Sequence, residues 1–434
     1  MRATTSVLLL CSTLSPLSIA YAIDGHNSQN PLVNSELPEW RTSYGSKPAS
    51  PPPYRDSLLS LHKALIDIPS TLGGGSEDKA AEYLVEYLKE RGYAAQLELV
   101  PPRSDTSPET KRFNVLAWPG AGSISDPAHT RKPRVLVTSH LDVVPPYIPY
   151  GIDASDFSEV DSNTIISGRG SVDAKASVAT QITAVENLIA AGEVRAEDLM
   201  LLYVIGEETT GDGMKHFSAS LQKQNPTPGF EAAIFGEPTE NKLACGHKGI
   251  TVGWIYAKGK AGHSGYPSQG KSATGVLTRA LAKIMDADLG SSERYGNSTF
   301  NIGKLTGGVA ANVIAKEAAA MISVRIAAGE FETGFEIVKE RIEAILKETD
   351  EDALTLDLPY GYGPVKCDCD IDGFETLVAN YGTDVANLEG RHQSYLYGPG
   401  TILVAHGDNE ALTVRDLEEA VEGLKKIIKH TLSQ

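Results

Sequence analysis

The chain has 434 residues and carries 39 basic against 56 acidic side chains, a formal net charge of −17. No cluster of lysine and arginine stands out, so the sequence argues against nucleic acids and anionic membrane surfaces as partners. Hydrophobic residues make up 41% and charged ones 22%, near the globular norm. A chain this long buries a core that does not need disulfides to hold it.

Residues 1–22 read as a secretory signal: Arg2, an apolar stretch from Val7 to Leu10, a break at Pro16, then Ala20-Tyr21-Ala22 as a small-residue cleavage site. Serine, threonine and proline interrupt the run too early for a membrane span. Cleavage would leave Cys245, Cys367 and Cys369. An odd count leaves one thiol free or paired elsewhere, and the Cys367 and Cys369 pairing stays undecided because a bridge between near neighbours is strained. Asn297-Ser298-Thr299 is a glycosylation acceptor sequence, and secretion predicts an extracellular protein. Residues 23–54, rich in Pro, Ser and Asn, read as a linker or propeptide.

The first folded segment, 55–242, opens with Leu58, Leu59, Leu61, Leu65 and Ile66 at helical spacing. A second helix follows, capped by Ser76, with Tyr83, Leu84, Tyr87 and Leu88 on one face and Gly92 as its stop. Short apolar runs then alternate with helices: Val135 to Thr138, a helix from about Val172 to Ala191, Leu199 to Ile205, and Ala232 to Phe235. That alternation predicts a mainly parallel sheet covered by helices, an α/β domain. Ile402 to Ala405 and an amphipathic helix through Leu417, Val421, Leu424 and Ile428 return to the same grammar in 359–434. Between them, residues 243–358 read β-α-β-β-α-β, a ferredoxin-like α+β insert that splits the larger domain.

In such sheets ligands sit at the carboxyl ends of the strands. The residues just past the runs form a consistent set: His140 and Asp142, Glu207 and Glu208, Glu237, and His406, with Asp173 expected to start the long helix after the loop of Gly168, Arg169 and Gly170. Acids crowded into one cleft repel unless a cation neutralises them. Carboxylates and imidazoles without thiolates suit zinc, cobalt or manganese. Asp142, two residues beyond His140 on a strand-like segment, is placed to orient its imidazole.

The motifs SHLDVVP at His140, GRGSVDAK at Asp173, GEETTG at Glu207, FGEPTE at Glu237 and AHGDNE at His406 resemble, in order, those of the co-catalytic di-zinc peptidases and deacylases: aminoacylase, acetylornithine deacetylase, succinyl-diaminopimelate desuccinylase and carboxypeptidase G. The resemblance runs from about residue 55 to the C-terminus. It implies two zinc ions bridged by Asp173, one also held by His140 and Glu237, the other by Glu208 and His406. It makes Glu207 the general base and Asp142 the histidine-orienting residue. Glutamate at 237 is similar to the carboxypeptidase and acylase branch. The insert would be a lid or dimerisation domain, supporting a homodimer and carrying His263 as an oxyanion-stabilising histidine often supplied by a partner subunit. Arg325, Asn312 and the loop of Gly398, Gly400 and Thr401 resemble positions near the substrate carboxylate.

The implied reaction is hydrolysis of an amide or peptide bond beside a free carboxylate, most simply by a carboxypeptidase, with an N-acyl-amino-acid deacylase as its rival. The substrate is accordingly a peptide or an N-acyl amino acid. Two remoter readings compete with this one. A phosphate-binding loop pattern spans Gly265, Gly270, Lys271 and Ser272, but the strand before it alternates as in a half-exposed antiparallel sheet. A non-catalytic binding protein is disfavoured because every ligand position and the base are present.

Overall fold

The computed structural model describes residues 50–71, 77–103, 110–120, 133–155, 159–223 and 229–434. The signal, most of the linker, Ser76, the Gly73 to Gly75 run and His129 lie outside them. In chain order the helices are α1 (Arg55–Ile66), α2 (Glu77–Glu90), α3 (Lys175–Ala190), α4 (Asp212–Gln222), α5 (Ala273–Asp286), α6 (Gly334–Asp350) and α7 (Val414–Ser433). Their ends follow local chemistry. Gly92, at φ +80°, ends α2 as the backbone N–H groups of Gly92 and Tyr93 return to the carbonyls of Lys89 and Leu88. Thr413 and Asp416 form a reciprocal capping box at the start of α7.

The larger sheet runs in the order Ala94–Leu99, Phe113–Trp118, Leu199–Val204, Val135–His140, Ala232–Phe235, Gln393–Leu396, Leu243–His247 and Val365–Lys366, with Thr376–Ala379 also paired to Leu243–His247. The four strands at its centre are mutually parallel, while the pair Ala94–Leu99 and Phe113–Trp118 adds antiparallel edges. Successive side chains of a strand face opposite ways. Val135, Val137, Leu199 and Leu201 therefore join the core under α1, α3 and α7, whereas Leu136, Met200 and Leu202 join the core with Met214, Phe217 and Leu221 of α4. Burial on both faces is why these strands read as continuous apolar runs.

The smaller sheet runs Thr299–Gly307, Glu317–Ile326, Gly249–Lys258 and Leu354–Asp357, with Gly361–Tyr362 also on Gly249–Lys258, all antiparallel. In chain order that is second, third, first, fourth, the ferredoxin-like arrangement. It has its own core: Ile255, Ala320, Ile322 and Val324 against Val276, Leu277 and Ala280 of α5 and Val338 and Ile342 of α6. Among the described residues no helix covers the other face, which presents Ile250, Val252, Trp254 and Tyr256 as half-buried or exposed side chains. Leu243–His247, read from sequence with the insert, pairs within the larger sheet.

Two sequence expectations fail. Ile402 to Ala405 is a run of turns, with Leu403 85% exposed, because Gly398, Pro399 and Gly400 break the chain after the true strand, Gln393–Leu396. Asp173 lies outside α3, which begins at Lys175. The cysteine question resolves as Cys245 bonded to Cys369, joining the chain that leaves the larger sheet to the chain that returns to it. Cys367 is free and buried, its thiol pushed up to about 12 by that burial.

Candidate active site

His140 is the last residue of the strand Val135–His140, and Glu207 and Glu208 occupy the turn just past the neighbouring strand Leu199–Val204. Gly206 makes that turn possible. Its φ is +79°, and a Cβ there would lie 2.0 Å from Asp212 Oδ1 and 2.7 Å from Arg112 Nη2. The buried Asp142 carboxylate accepts the backbone N–H groups of Glu207 and Glu208 at 3.3 and 3.2 Å. The His140 Nδ1–H donates to the Asp142 backbone carbonyl at 2.9 Å, while the Asp142 carboxylate stands 3.7 Å away. The Asp142 side chain thus fixes the glutamate turn, and its main chain fixes the imidazole.

At the centre, Asp173 presents Oδ1 to His140 Nε2 at 3.0 Å and Oδ2 to His406 Nε2 at 3.3 Å. His406 Nε2 also lies 2.9 Å from Glu208 Oε2, and His140 Nε2 lies 3.8 Å from Glu237 Oε1. Two triads, His140 with Asp173 and Glu208 and His140 with Glu207 and Glu237, bring ligand atoms within 4.8 Å of one another. His406 reaches this cluster from a backbone at φ +64°, an uncommon conformation for a side-chain-bearing residue outside turns.

The charges are unbalanced as they stand. Burial, then the field of Glu237, raises Glu207 well above the carboxylate range, and burial with Asp173 does the same to Glu237. Burial and Asp173 push Glu208 up to about 7. Burial opposes charge on His140, yet its bond to Asp173 and the fields of Glu207 and Glu237 raise it well above the usual imidazole value. His406 is raised to about 10 by Asp173 and Glu208. Burial works against the Asp173 charge, but its bonds to both histidines hold it low. Glu208 Oε1 is buried without a hydrogen-bond partner. An oxygen and nitrogen donor set with surplus negative charge and an orphaned carboxylate oxygen fits divalent cations.

A cavity of about 220 Å³ opens onto Asp173, Glu207, Glu208, Glu237 and His406, and Arg325, Ile250, Val252 and Tyr362 of the smaller sheet line it too, with Tyr360 from the connection just before Tyr362. Arg325 is half-buried, and among the described residues it has no ion-pair or hydrogen-bond partner. The other expected substrate residues do not line this cavity. His263 is exposed, its Nδ1 accepting the Gly265 N–H, and the Asn312 carbonyl accepts the Ser264 N–H in the same loop region. Gly398 is a spacer: a Cβ there would meet the Glu237 carbonyl at 2.5 Å. Gly400 turns at φ +76°, and Thr401 Oγ1 bonds Glu240 Oε1 at 3.0 Å. Asn297 is exposed on a short hairpin. Lys271 pairs with Asp350 at 2.6 Å and Ser272 caps α5, so the phosphate-loop residues are already engaged.

Sequence reasoning missed three groups. Glu410 is fully buried; its Oε1 accepts the N–H groups of Gly170, Val172 and Asp173 at 3.0, 3.0 and 3.1 Å. Its Oε2 pairs with Arg169 at 2.6 Å, and Arg169 in turn donates to the carbonyls of His406 and Gly407. The pair locks the Asp173 loop to the His406 loop; Glu410 closes the AHGDNE motif, which was the available signal. Asp384, buried beside Glu207 and Glu237, follows the strand Thr376–Ala379; burial pushes it up to about 6, against its bond from Asn387. The rule of inspecting strand ends would have found it had that short run been read as a strand. The tyrosines and Ile250 carry no sequence signal at all, since only the strand pairing brings them to the cavity.

The peptidase dimerisation domain profile of the M20 family matches residues 245–353. A Peptidase M20 domain-containing protein of Sordaria macrospora is 55% identical over the whole of both chains. A relative in Neosartorya fischeri named "Probable carboxypeptidase" is 41% identical over 98% of this chain and 99% of its own. Among solved structures, a Staphylococcus aureus tripeptidase superposes with a TM-score of 0.67 at 19% identity, covering 88% of this chain and 99% of its own. The Sulfolobus solfataricus M20 family metallo-carboxypeptidase gives 0.64 at 16% identity, covering 87% and 100%. The chain belongs to the M20 family of peptidases.

Proposed function

We propose that this peptidase is a secreted, divalent-metal carboxypeptidase. The observation that carries the metal reading is Asp173, whose two oxygens face two different imidazoles, as a carboxylate shared between two ions would. His140 and Glu237 would complete one position, Glu208 and His406 the other, with zinc the expected ion. Bound there, such ions polarise a carbonyl and make water a nucleophile near neutral pH. Glu207, in the cavity wall, takes the proton from the attacking water and returns it to the leaving amine.

Arg325 supports the choice of exopeptidase. A half-buried guanidinium with no partner among the described residues, facing the same cavity, suits a carboxylate fork to fork. Glutamate at 237 and the carboxypeptidase names of the fungal relatives point the same way. His263, exposed outside this cavity, acts in a homodimer from the partner subunit, in keeping with the dimerisation domain. Secretion rests on the signal-like first residues; the Cys245–Cys369 bond and the exposed Asn297 suit an oxidising, glycosylating route. The test is a mass-spectrometric cleavage profile of mixed peptides and N-acyl amino acids, with metal-replete and chelated protein. C-terminal residues are released, and chelation abolishes release. Liberation of N-terminal residues, faster attack on N-acyl amino acids than on peptides, or full activity after chelation would each overturn the assignment.

A further inference from the structure

We propose that the residue released at this site is apolar or aromatic, its side chain packed on a row of insert residues beside Arg325; this rests on the carboxypeptidase reading above. The row follows from strand register. Arg325 lies directly opposite Ile250, and Ile250 lies directly opposite Tyr362 on its other side. Directly opposed residues share a face of a sheet with Cβ atoms ~5 Å apart. Val252, two residues along the strand, shares that face, and all four side chains line the cavity that holds Glu207 and Glu208.

In a terminal amino acid the carboxylate and the side chain branch from one Cα. With the carboxylate on Arg325, the side chain falls within one strand spacing of it, over Ile250 and toward Tyr362, with Val252 and Tyr360 at its flanks. The opposite wall leaves this row open by lacking a side chain. A Cβ on Gly382 would stand 2.8 Å from Tyr362 Oη, 3.6 Å from Arg325 Nη1 and 3.8 Å from Ile250 Cγ2. The row offers no partner for a second charge. A terminal glutamate would set its two carboxylates in competition for Arg325, and a terminal lysine would bring its ammonium onto apolar surface. Lys215, the other cation lining the cavity, already donates to the Thr210 carbonyl.

The test measures kcat/KM of the metal-replete full chain on benzyloxycarbonyl-alanyl substrates ending in Phe, Leu, Ala, Glu or Lys, and on the Phe amide. Phe and Leu exceed Ala by about tenfold and exceed Glu and Lys by more, because one or a few buried methylenes carry about that much discrimination. Ile250→Ala lowers the Phe-to-Ala ratio about tenfold, and Val252→Arg raises the Glu-to-Phe ratio by a similar factor. Glu or Lys equal to Phe, with the Phe amide still poor, overturns the apolar subsite and leaves the carboxypeptidase intact. A Phe amide cleaved as fast as Phe removes the carboxypeptidase reading and this proposal with it. Ratios unmoved by both folded variants overturn the assignment of the row.

Discussion

At the carboxyl edge of the larger sheet, acids and imidazoles are packed against one another and held by further polar groups. Asp142 braces the glutamate turn, and Glu410 with Arg169 braces the loops of Asp173 and His406. Among the smaller-sheet residues that line the cavity a single charge, Arg325, stands beside Ile250, Val252 and Tyr362 with no ion-pair or hydrogen-bond partner among the described residues. The first region is built to hold its donors still before any ligand arrives. The second leaves Arg325 to be satisfied by what enters. On the proposed reading, chemistry and recognition are divided between two sheets with separate cores, and each half should fail in its own manner.

Glu207→Ala breaks the first region hardest: turnover falls about 10²–10⁴-fold, while metal content by inductively coupled plasma mass spectrometry stays at the wild-type stoichiometry. A fall in metal content of equal degree would make Glu207 a ligand instead. Glu410→Ala leaves Arg169 as an uncompensated buried charge and costs about 3–5 kcal/mol in denaturant unfolding. Metal affinity, read by chelator competition, drops roughly 10–100-fold, as for other groups that orient ligands. Arg325→Met tests the second region. It lowers kcat/KM on carboxylate-ended peptides by about 2–4 kcal/mol of lost ion pairing, with stability and metal content near wild type because no protein partner is orphaned. If Arg325→Met unfolded the protein as Glu410→Ala does, the division between the two regions would collapse.

The smallest effect is a pH dependence confined to metal-stripped protein. Glu208, pushed up to about 7, stabilises the fold in its protonated form. That contribution is complete below about 4.5 and is lost as pH rises toward 7, on the order of 2 kcal/mol. His406, raised to about 10, loses its contribution over roughly pH 6.5 to 10, in the same direction; being half exposed, it adds less. Thermal melts of stripped protein should therefore fall steadily from pH 5 to 9. Melts of loaded protein should be flatter, since metals favour the same donors deprotonated.

Much of the site was legible because its chemistry obeys a simple rule: polar residues directly past buried apolar strands. His140, Glu207, Glu208 and Glu237 all follow it. His406 was found by a motif although the strand assumed before it is a chain of turns, where two glycines and a proline overrule four apolar residues. The insert's β-α-β-β-α-β order was readable from alternation alone. Its contribution to the cavity was not, because Arg325, Ile250 and Tyr362 become neighbours only through pairings between strands 75 and 112 residues apart in sequence. The bonds of Asp142 to the glutamate turn were not legible for a similar reason: spacing says which face a side chain takes, while these partners, the Glu207 and Glu208 N–H groups, come from another strand's turn.

The Cys245–Cys369 bond ties together two points 124 residues apart, at the neck where the polypeptide goes out to the smaller sheet and comes back. An endoprotease cut anywhere in that span would leave one covalent molecule, its pieces parting only under a reductant. If the protein is secreted among other peptidases, as proposed, the subdomain proposed to carry its specificity can be nicked without being shed.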